Sequence, residues 1–353
     1  MRKIYIHIGC GKTGSSALQV WLNQNADVFH SKGLYYPTFG KRVNDGEVTS
    51  GNGSTLVAAI ERGNAREVIS KLLKETNSNI LLSSEAFQIL TIEKIKEFKT
   101  TLEKLELQPI IISYVRDLLD ILNSGYSQLV KRHAFTQRFE DFVFSLKKVQ
   151  QIQQFDVIKR WSEFFPNITV LHYDTFKNSL DKSFLQAVNI LESQIPEMKN
   201  GIVNRSLSQF ELEMLRYINE LHLKNYGFID DKFPTAISDS LLRLNPEAKT
   251  AIIKNSEIES HLDKVFGKAV EEFNARYFNG NPTLKIFYPK GKSIIQSQED
   301  IDPRFKDTLQ VVFNYLNPRT AEQIDFQKLT ETKAYDIRSP RFIEALYAHA
   351  LRV

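Results

Sequence analysis

The sequence predicts an α/β fold: a central parallel β-sheet flanked by helices, followed by a largely helical C-terminal part. Three observations carry this prediction. Short β-branched runs alternate with longer stretches of helical apolar period through the first half of the chain. Each run is nearly continuous in apolar residues, as strands covered on both faces are. Strands that alternate with helices in this way build parallel sheets.

The elements follow in order. KIYIHI (3–8) is the first strand, and the glycine-rich turn GCGKTG (9–14) leads from it into the helical stretch SSALQVWLNQNADVF (15–29). GLYYP (33–37), with Tyr35 and Tyr36, reads as a short buried strand. GKRVNDGEVTSGNGS (40–54) is polar and rich in glycine, which suits a substrate rim or lid, and its Glu47 could swing inward. A helix, AREVISKLLKET (65–76), precedes the strand NILLSS (79–84), and Glu85 stands just past that strand. TIEKIKEFKTTLEKL (91–105) is helical, PIIISYV (109–115) is a strand ending at Arg116, and DLLDILNSGYSQLVKRHAF (117–135) is a long helix containing Ser124. NITVLHY (167–173) is the fourth clear strand.

After Asp174 helical patterns dominate: DKSFLQAVNILES (181–193), SLSQFELEMLRYINELHLK (206–224) and HLDKVFGKAVEEFNARYF (261–278). Ser206-x-x-Gln209 has the capping-box pattern that starts a helix. NGNPTLKIFYPKGKS (279–293) is turn-rich, and two small helical patterns, 303–316 and 339–353, follow it. The expected organisation is one domain over 1–285 and a C-terminal helical appendage over 286–353.

Composition narrows the function. The 46 basic and 42 acidic side chains leave a net charge of +4, too little for a polycation that coats nucleic acid. Any anion site must therefore be a local cluster. The single cysteine, Cys10, excludes an internal disulfide framework and a cysteine metal cage, and reads as a small residue in a tight turn. No run approaches the ~20 apolar residues that span a bilayer, so no integral membrane segment is expected. The opening MRKIYIHIG enters a strand at once and leaves no room for a secretion signal. The expected location is cytoplasmic.

The chemistry concentrates in IHIGCGKTGSSALQVWL (6–22). A strand, a glycine-rich turn and a helix make a phosphate cradle, because freed backbone N–H groups and the helix dipole face one point. Gly11-Lys12-Thr13 would end a triphosphate loop of the form G-x-x-x-x-G-K-[ST], but its first glycine would fall at Ile6, inside the strand. No strand ends in the acidic pair that would help hold magnesium. Gly9, Gly11, Lys12, Thr13, Gly14, Ser15 and Ser16 instead resemble the 5′-phosphosulfate loop of the sulfotransferase family, with serines where that family commonly has threonines. Arg116 at a strand end, followed eight positions later by Ser124 and then by Tyr126, resembles the family's 3′-phosphate segment. RWSEFFPNITVLHYDTF (160–176), with the pair Tyr173-Asp174, resembles a third segment, and its role is architectural. The resemblance covers roughly residues 3–280, and the later helices look like those of bacterial, carbohydrate-type members.

This resemblance implies a P-loop NTPase-like sulfotransferase fold and transfer of the sulfuryl group of 3′-phosphoadenosine 5′-phosphosulfate by in-line displacement, with no metal. The acceptor would be a hydroxyl or amine of a carbohydrate, lipid-linked sugar or small molecule. Lys12 would stabilise the leaving phosphate, the loop from Gly9 to Ser16 would hold the 5′-phosphate, and Arg116 with Ser124 the 3′-phosphate. Glu85, at the C-terminal edge of the sheet where α/β ligands sit, is the candidate base; its structural reading is a carboxylate at a helix start. His7 reads as a buried, satisfied core histidine. Asn204 and Arg205 are candidates to reach the sulfate or the acceptor. Arg116 paired to a helix-capping Asp117 is the structural alternative at that strand end. Two other classes stay open: a small-molecule or nucleoside kinase, and a non-catalytic binding protein of the same fold.

Overall fold

The computed structural model describes residues 1–39, 51–198, 206–227, 231–244, 256–279 and 285. Glu47, Asn204, Arg205 and residues 286–353 lie outside them. Among the described residues five strands form one sheet: β1 (Arg2–Ile8), β2 (Leu34–Tyr35), β3 (Asn79–Ser84), β4 (Leu107–Val115) and β5 (Thr169–His172). Their order is β2-β3-β1-β4-β5 and every pairing is parallel. The predicted α/β class, with a central parallel sheet flanked by helices, is the one found.

The helices are α1 (Ser15–Gln24), α2 (Ala26–Ser31), α3 (Ser54–Arg62), α4 (Ala65–Glu75), α5 (Ile92–Lys104), α6 (Leu118–Arg132), α7 (Phe139–Ser145), α8 (Gln153–Ser162), α9 (Tyr173–Phe176), α10 (Leu180–Ala187), α11 (Gln209–Tyr226), α12 (Lys232–Leu244) and α13 (Ser256–Tyr277). The described residues fall into two compact units. The first draws on Met1–Leu118, Lys147–Val203 and Asp263–Ile286, and the second on Leu119–Leu146 and Asn204–Leu262.

The first unit contains the sheet. β1 lies at its centre, paired along its length with both β3 and β4. Its residues Ile4, Ile6 and Ile8 are fully buried. One core cluster joins β1, α1, α2, β2 and α10 through Tyr5, Leu18, Trp21, Phe29, Tyr36 and Phe184. Trp21 meets Phe29 edge-on at 5.2 Å, and its indole N–H donates to the Pro196 carbonyl at 2.9 Å, so its polar atom is not stranded. Removing such a ring from a core costs about 3–5 kcal/mol.

The second unit is helical. Tyr126 of α6 packs against Phe135, Phe139 and Phe142, and its hydroxyl donates to the Gln137 carbonyl at 2.9 Å. Arg216 of α11 pairs with Glu213 and Glu220 and donates to the Thr136 carbonyl, which ties α11 to the segment after α6.

Local differences from the sequence expectation have local causes. The helix expected over 15–29 breaks at Asn25, whose side-chain amide and backbone N–H both donate back to the Trp21 carbonyl and end α1 there. The fourth strand stops at His172, because Tyr173 opens a helical turn. The capping box at the start of α11 is formed by Ser208 and Glu211, not at the expected position. Ser208 accepts from the Glu211 N–H at 3.3 Å and Glu211 accepts from the Ser208 N–H at 2.7 Å, two residues further on. Of GLYYP only Leu34–Tyr35 forms the strand β2, with Tyr35 half-buried and Tyr36, just past the strand, buried. The loop expected to run to residue 54 yields at Ser54 to α3, which the sequence reading did not anticipate.

The entry to α3 is fastened to β3. Asn52 donates to the carbonyls of Pro37 and Leu81, both at 3.1 Å, and accepts from the Ser83 N–H at 2.8 Å. Gly51 must be glycine here: its φ is +78°, and a Cβ would stand 2.0 Å from the Ser83 carbonyl oxygen. Asn52→Ala removes three buried hydrogen bonds at once and leaves the Ser83 N–H unpaired. We expect it to lower the free energy of unfolding by about 2–4 kcal/mol, read as a reduced midpoint in urea denaturation.

Candidate functional site

Parallel pairing places the C-terminal ends of β1, β3 and β4 level with one another, with Ile8 opposite Ser84 on one side and Ser113 on the other. The chain leaves β1 toward the β3 side and leaves β4 toward β5. Such a reversal marks the usual ligand position in open α/β sheets. The residues at these strand ends are Gly9 to Ser16 after β1, Glu85 after β3 and Arg116 after β4.

The loop is tightly built. Gly9 donates its N–H to the Ser84 carbonyl at 3.2 Å. A Cβ on Gly9 would meet Ser15 Oγ at 2.8 Å and Glu85 Cγ at 3.0 Å, so three segments converge where only a hydrogen fits. Thr13 Oγ1 donates to the Cys10 carbonyl at 2.6 Å and Ser15 Oγ donates to the same oxygen at 3.3 Å. Both hydroxyl groups are buried, whereas Ser16 is exposed. Gly14, at φ +76°, caps the start of α1, and a side chain there would strike Tyr173 at 2.8 Å and Leu180 at 2.9 Å. Gly11 has open space where a Cβ would stand. Lys12 has a φ of +68°, a left-handed conformation that is costly for a residue with a Cβ. Its side chain is exposed.

Cys10 is buried, as expected of a small residue in a tight turn, and burial pushes its thiol up to about 11. It is therefore not a poised nucleophile. Its sulfur lies 3.4 Å from Ser113 Oγ on β4.

Glu85 opens the 3₁₀ turn Glu85–Ile89. The protein around its carboxylate raises its pKa above the ordinary glutamate value, while the charge of Lys12 works in the opposite direction. A raised pKa makes the carboxylate a stronger base. The same turn forms one wall of an open groove of about 640 Å³, whose lining includes Gln88, Ile89, Ile92, Asp156 and Arg160.

Arg116 is held by four residues. Its N–H donates to Gln154 Oε1 and its carbonyl accepts from Gln154 Nε2, both at 2.9 Å. Its Nε donates to Asp174 Oδ1 at 3.3 Å, and its guanidinium lies 5.3 Å from the Tyr173 ring centroid. Its Nη1 donates to the Lys12 carbonyl at 3.3 Å. The guanidinium pairs with Asp174, then, and not with Asp117, because Asp117 is occupied elsewhere. Asp117 Oδ1 takes the Lys285 N–H at 2.7 Å and lies 2.9 Å from His172 Nε2.

Asp117, His172 and Asp174 bring potential metal-ligating atoms within 4.8 Å of one another. Those atoms already have protein partners. His172 Nδ1 lies 2.7 Å from Thr175 Oγ1, and Asp174 Oδ2 accepts from the Asp117 N–H at 3.0 Å. The cluster thus joins the ends of β4 and β5.

His7 is fully buried in β1, 2.7 Å from Ser83 Oγ through Nδ1. Its Nε2 is buried without a hydrogen-bond partner, so the expectation of a fully satisfied histidine fails at one atom. Burial pushes its pKa down to about 3, which keeps it neutral and excludes it as a base working near pH 7.

The sheet unit thus brings together the loop from Gly9 to Ser16, Glu85 and Arg116. Ser124 lies in α6 within the helical unit and is partly exposed. Sequence reasoning missed Asp174 as the partner of Arg116, Gln154 as its main-chain clamp, and Gln88, which donates to the Gly9 carbonyl. For Asp174 a signal existed, since an acid directly after a strand sits at the functional edge of a parallel sheet. No protein-family model matches the chain, and no curated protein matches it either.

Proposed function

We propose that this protein is a sulfotransferase that moves the sulfuryl group of 3′-phosphoadenosine 5′-phosphosulfate to a hydroxyl or amine of a carbohydrate, lipid-linked sugar or small-molecule acceptor. The observation that carries the reading is the meeting of three strand ends. It sets a glycine-rich loop with an exposed lysine beside a carboxylate of raised pKa and an arginine held at the next strand end. The residues fit such a donor: the loop supplies backbone N–H groups and a helix start for one phosphate, and Arg116 a guanidinium for a second.

The donor supplies an activated sulfuryl group. Lys12 places its charge where the leaving phosphate develops negative charge. Glu85 takes the proton from the acceptor hydroxyl. The hydroxyl protons of Thr13 and Ser15 are directed at Cys10, so their share in holding the 5′-phosphate falls to their backbone N–H groups. Ser16 Oγ, exposed at the start of α1, is the hydroxyl open to a phosphate oxygen.

Calorimetric titration separates this reading from a kinase. Adenosine 3′,5′-bisphosphate should bind more tightly than ATP with magnesium, and the reverse preference would sink the proposal. Arg116→Ala should weaken the bisphosphate by about tenfold or more. It should leave adenosine 5′-phosphosulfate, which has no 3′-phosphate, nearly unchanged. Glu85→Gln should keep bisphosphate binding and lower transfer from labelled donor by about 10²–10⁴-fold. In the unmodified protein the rate should rise with pH through a midpoint above the ordinary glutamate value, because the base acts only when ionised. Transfer retained in the glutamine variant removes Glu85 from the base role.

A further inference from the structure

We propose that Gln88 is a positioning residue, whose side chain ties the 3₁₀ turn carrying Glu85 to the main chain of the glycine-rich loop while Arg160 clamps the far end of that turn. The inference rests on the reading of Glu85 as the base, and it adds two residues that act through it.

Gln88 is 6% exposed. Its Nε2 donates to the Gly9 carbonyl, and its Oε1 is buried with no hydrogen-bond partner. A buried amide with one end unpaired is unfavourable. The bond that the other end makes therefore has to account for its presence, and that bond goes to the loop. In a 3₁₀ turn residues three apart stand one above the other, so Glu85 and Gln88 share a face. That face is turned to the loop at both positions, with Glu85 Cγ 3.0 Å from where a Gly9 Cβ would be.

The turn is also held at its two ends. At the start, Ser84 Oγ accepts from the Ala86 N–H at 3.1 Å and the Ser84 carbonyl accepts from Gly9. At the far end, Arg160 Nη2 donates to the Gln88 carbonyl at 2.8 Å and Nη1 donates to the Leu90 carbonyl. These carbonyls would otherwise be the orphan acceptors of a helix end. Asp156 Oδ2 accepts from Arg160 Nε at 2.9 Å and fixes the guanidinium. The ionisable group that acts on Glu85 is Lys12, from the loop, and Glu85 in turn helps raise the Cys10 thiol. Glu85 is exposed on its outer side, and a turn cut loose from Gly9 would carry its carboxylate further from the protein that disfavours its charge.

The test is a carbon-13 NMR titration of the Glu85 carboxylate in the full chain, without donor or acceptor. Gln88→Met keeps the length of the side chain and removes its donor. The Glu85 midpoint should then fall toward the ordinary glutamate value. Arg160→Gln should move it the same way. Phe87→Leu, a core change in the same turn, should lower the melting temperature and leave the midpoint in place. If Gln88→Met does not fold, Asp156→Asn, which loosens only Arg160, carries the same expectation. The proposal is overturned if these variants leave the midpoint unmoved, or if Phe87→Leu moves it as far as they do. No ligand enters this measurement, so it stands apart from the sulfuryl-transfer reading, which depends on bisphosphate binding.

Discussion

The arrangement depends on one close approach, the meeting of three segments at Gly9. β1 ends there between β3, which stops level with it, and the longer β4, α1 returns Ser15 to it, and the turn after β3 sets Glu85 against it. A side chain would hold these segments apart by the width of a methyl group. With only a hydrogen, the loop can reach Ser84 through its backbone and accept from Gln88, so strand pairing extends past the formal end of the sheet. The site is therefore a continuation of the core, and its geometry inherits the rigidity of β1.

Charge is distributed with the same economy. Arg116 faces a carboxylate, an aromatic ring and a carbonyl in this structure. A guanidinium has five N–H donors in a fixed fork, and two of them, Nε–H and one on Nη1, are used by Asp174 and Lys12. The remaining donors keep a defined direction because the used ones fix the plane. Asp174 reduces the net charge an anion would meet, which weakens long-range attraction, but it fixes the fork in advance, and an ordered donor loses less entropy on binding. Partial burial of both partners strengthens their attraction and also costs desolvation, so the pair acts on geometry more than on stability.

Much of this was legible in the sequence, and the rest was not for identifiable reasons. NILLSS matches its strand residue for residue, because a continuous apolar run between polar ends has only one way to be covered on two faces. Lys12, Glu85 and Arg116 could be placed at strand ends because strand ends are where periodicity stops. The partners of those residues could not be found in that way. Asp174 lies 58 positions from Arg116, and Gln88 lies 79 from Gly9. Such pairings are set by sheet order, and four strand positions in a sequence do not state their order. The capping box slipped by two residues because SLSQFE holds two overlapping matches to one pattern, and the tertiary placement of α11 chose between them. The helix α3 escaped notice because its nine residues follow a glycine-rich tract and carry too few turns for a clear period.

The conformation of Lys12 bears on how such a loop works. A left-handed lysine is disfavoured by roughly 1–2 kcal/mol, and in this chain it persists between Gly11 and Thr13. The neighbours explain why it is tolerated. The Lys12 carbonyl takes a hydrogen bond from Arg116, and the next residue, Thr13, turns its hydroxyl back onto Cys10. The strained peptide is thus satisfied from both sides, and the lysine side chain is left exposed. Glycine at position 12 would relieve the backbone and lose the charge, while a relaxed lysine would keep the charge and point it elsewhere. The residue type and its conformation are therefore selected together, and the arginine at the next strand end is part of what holds them.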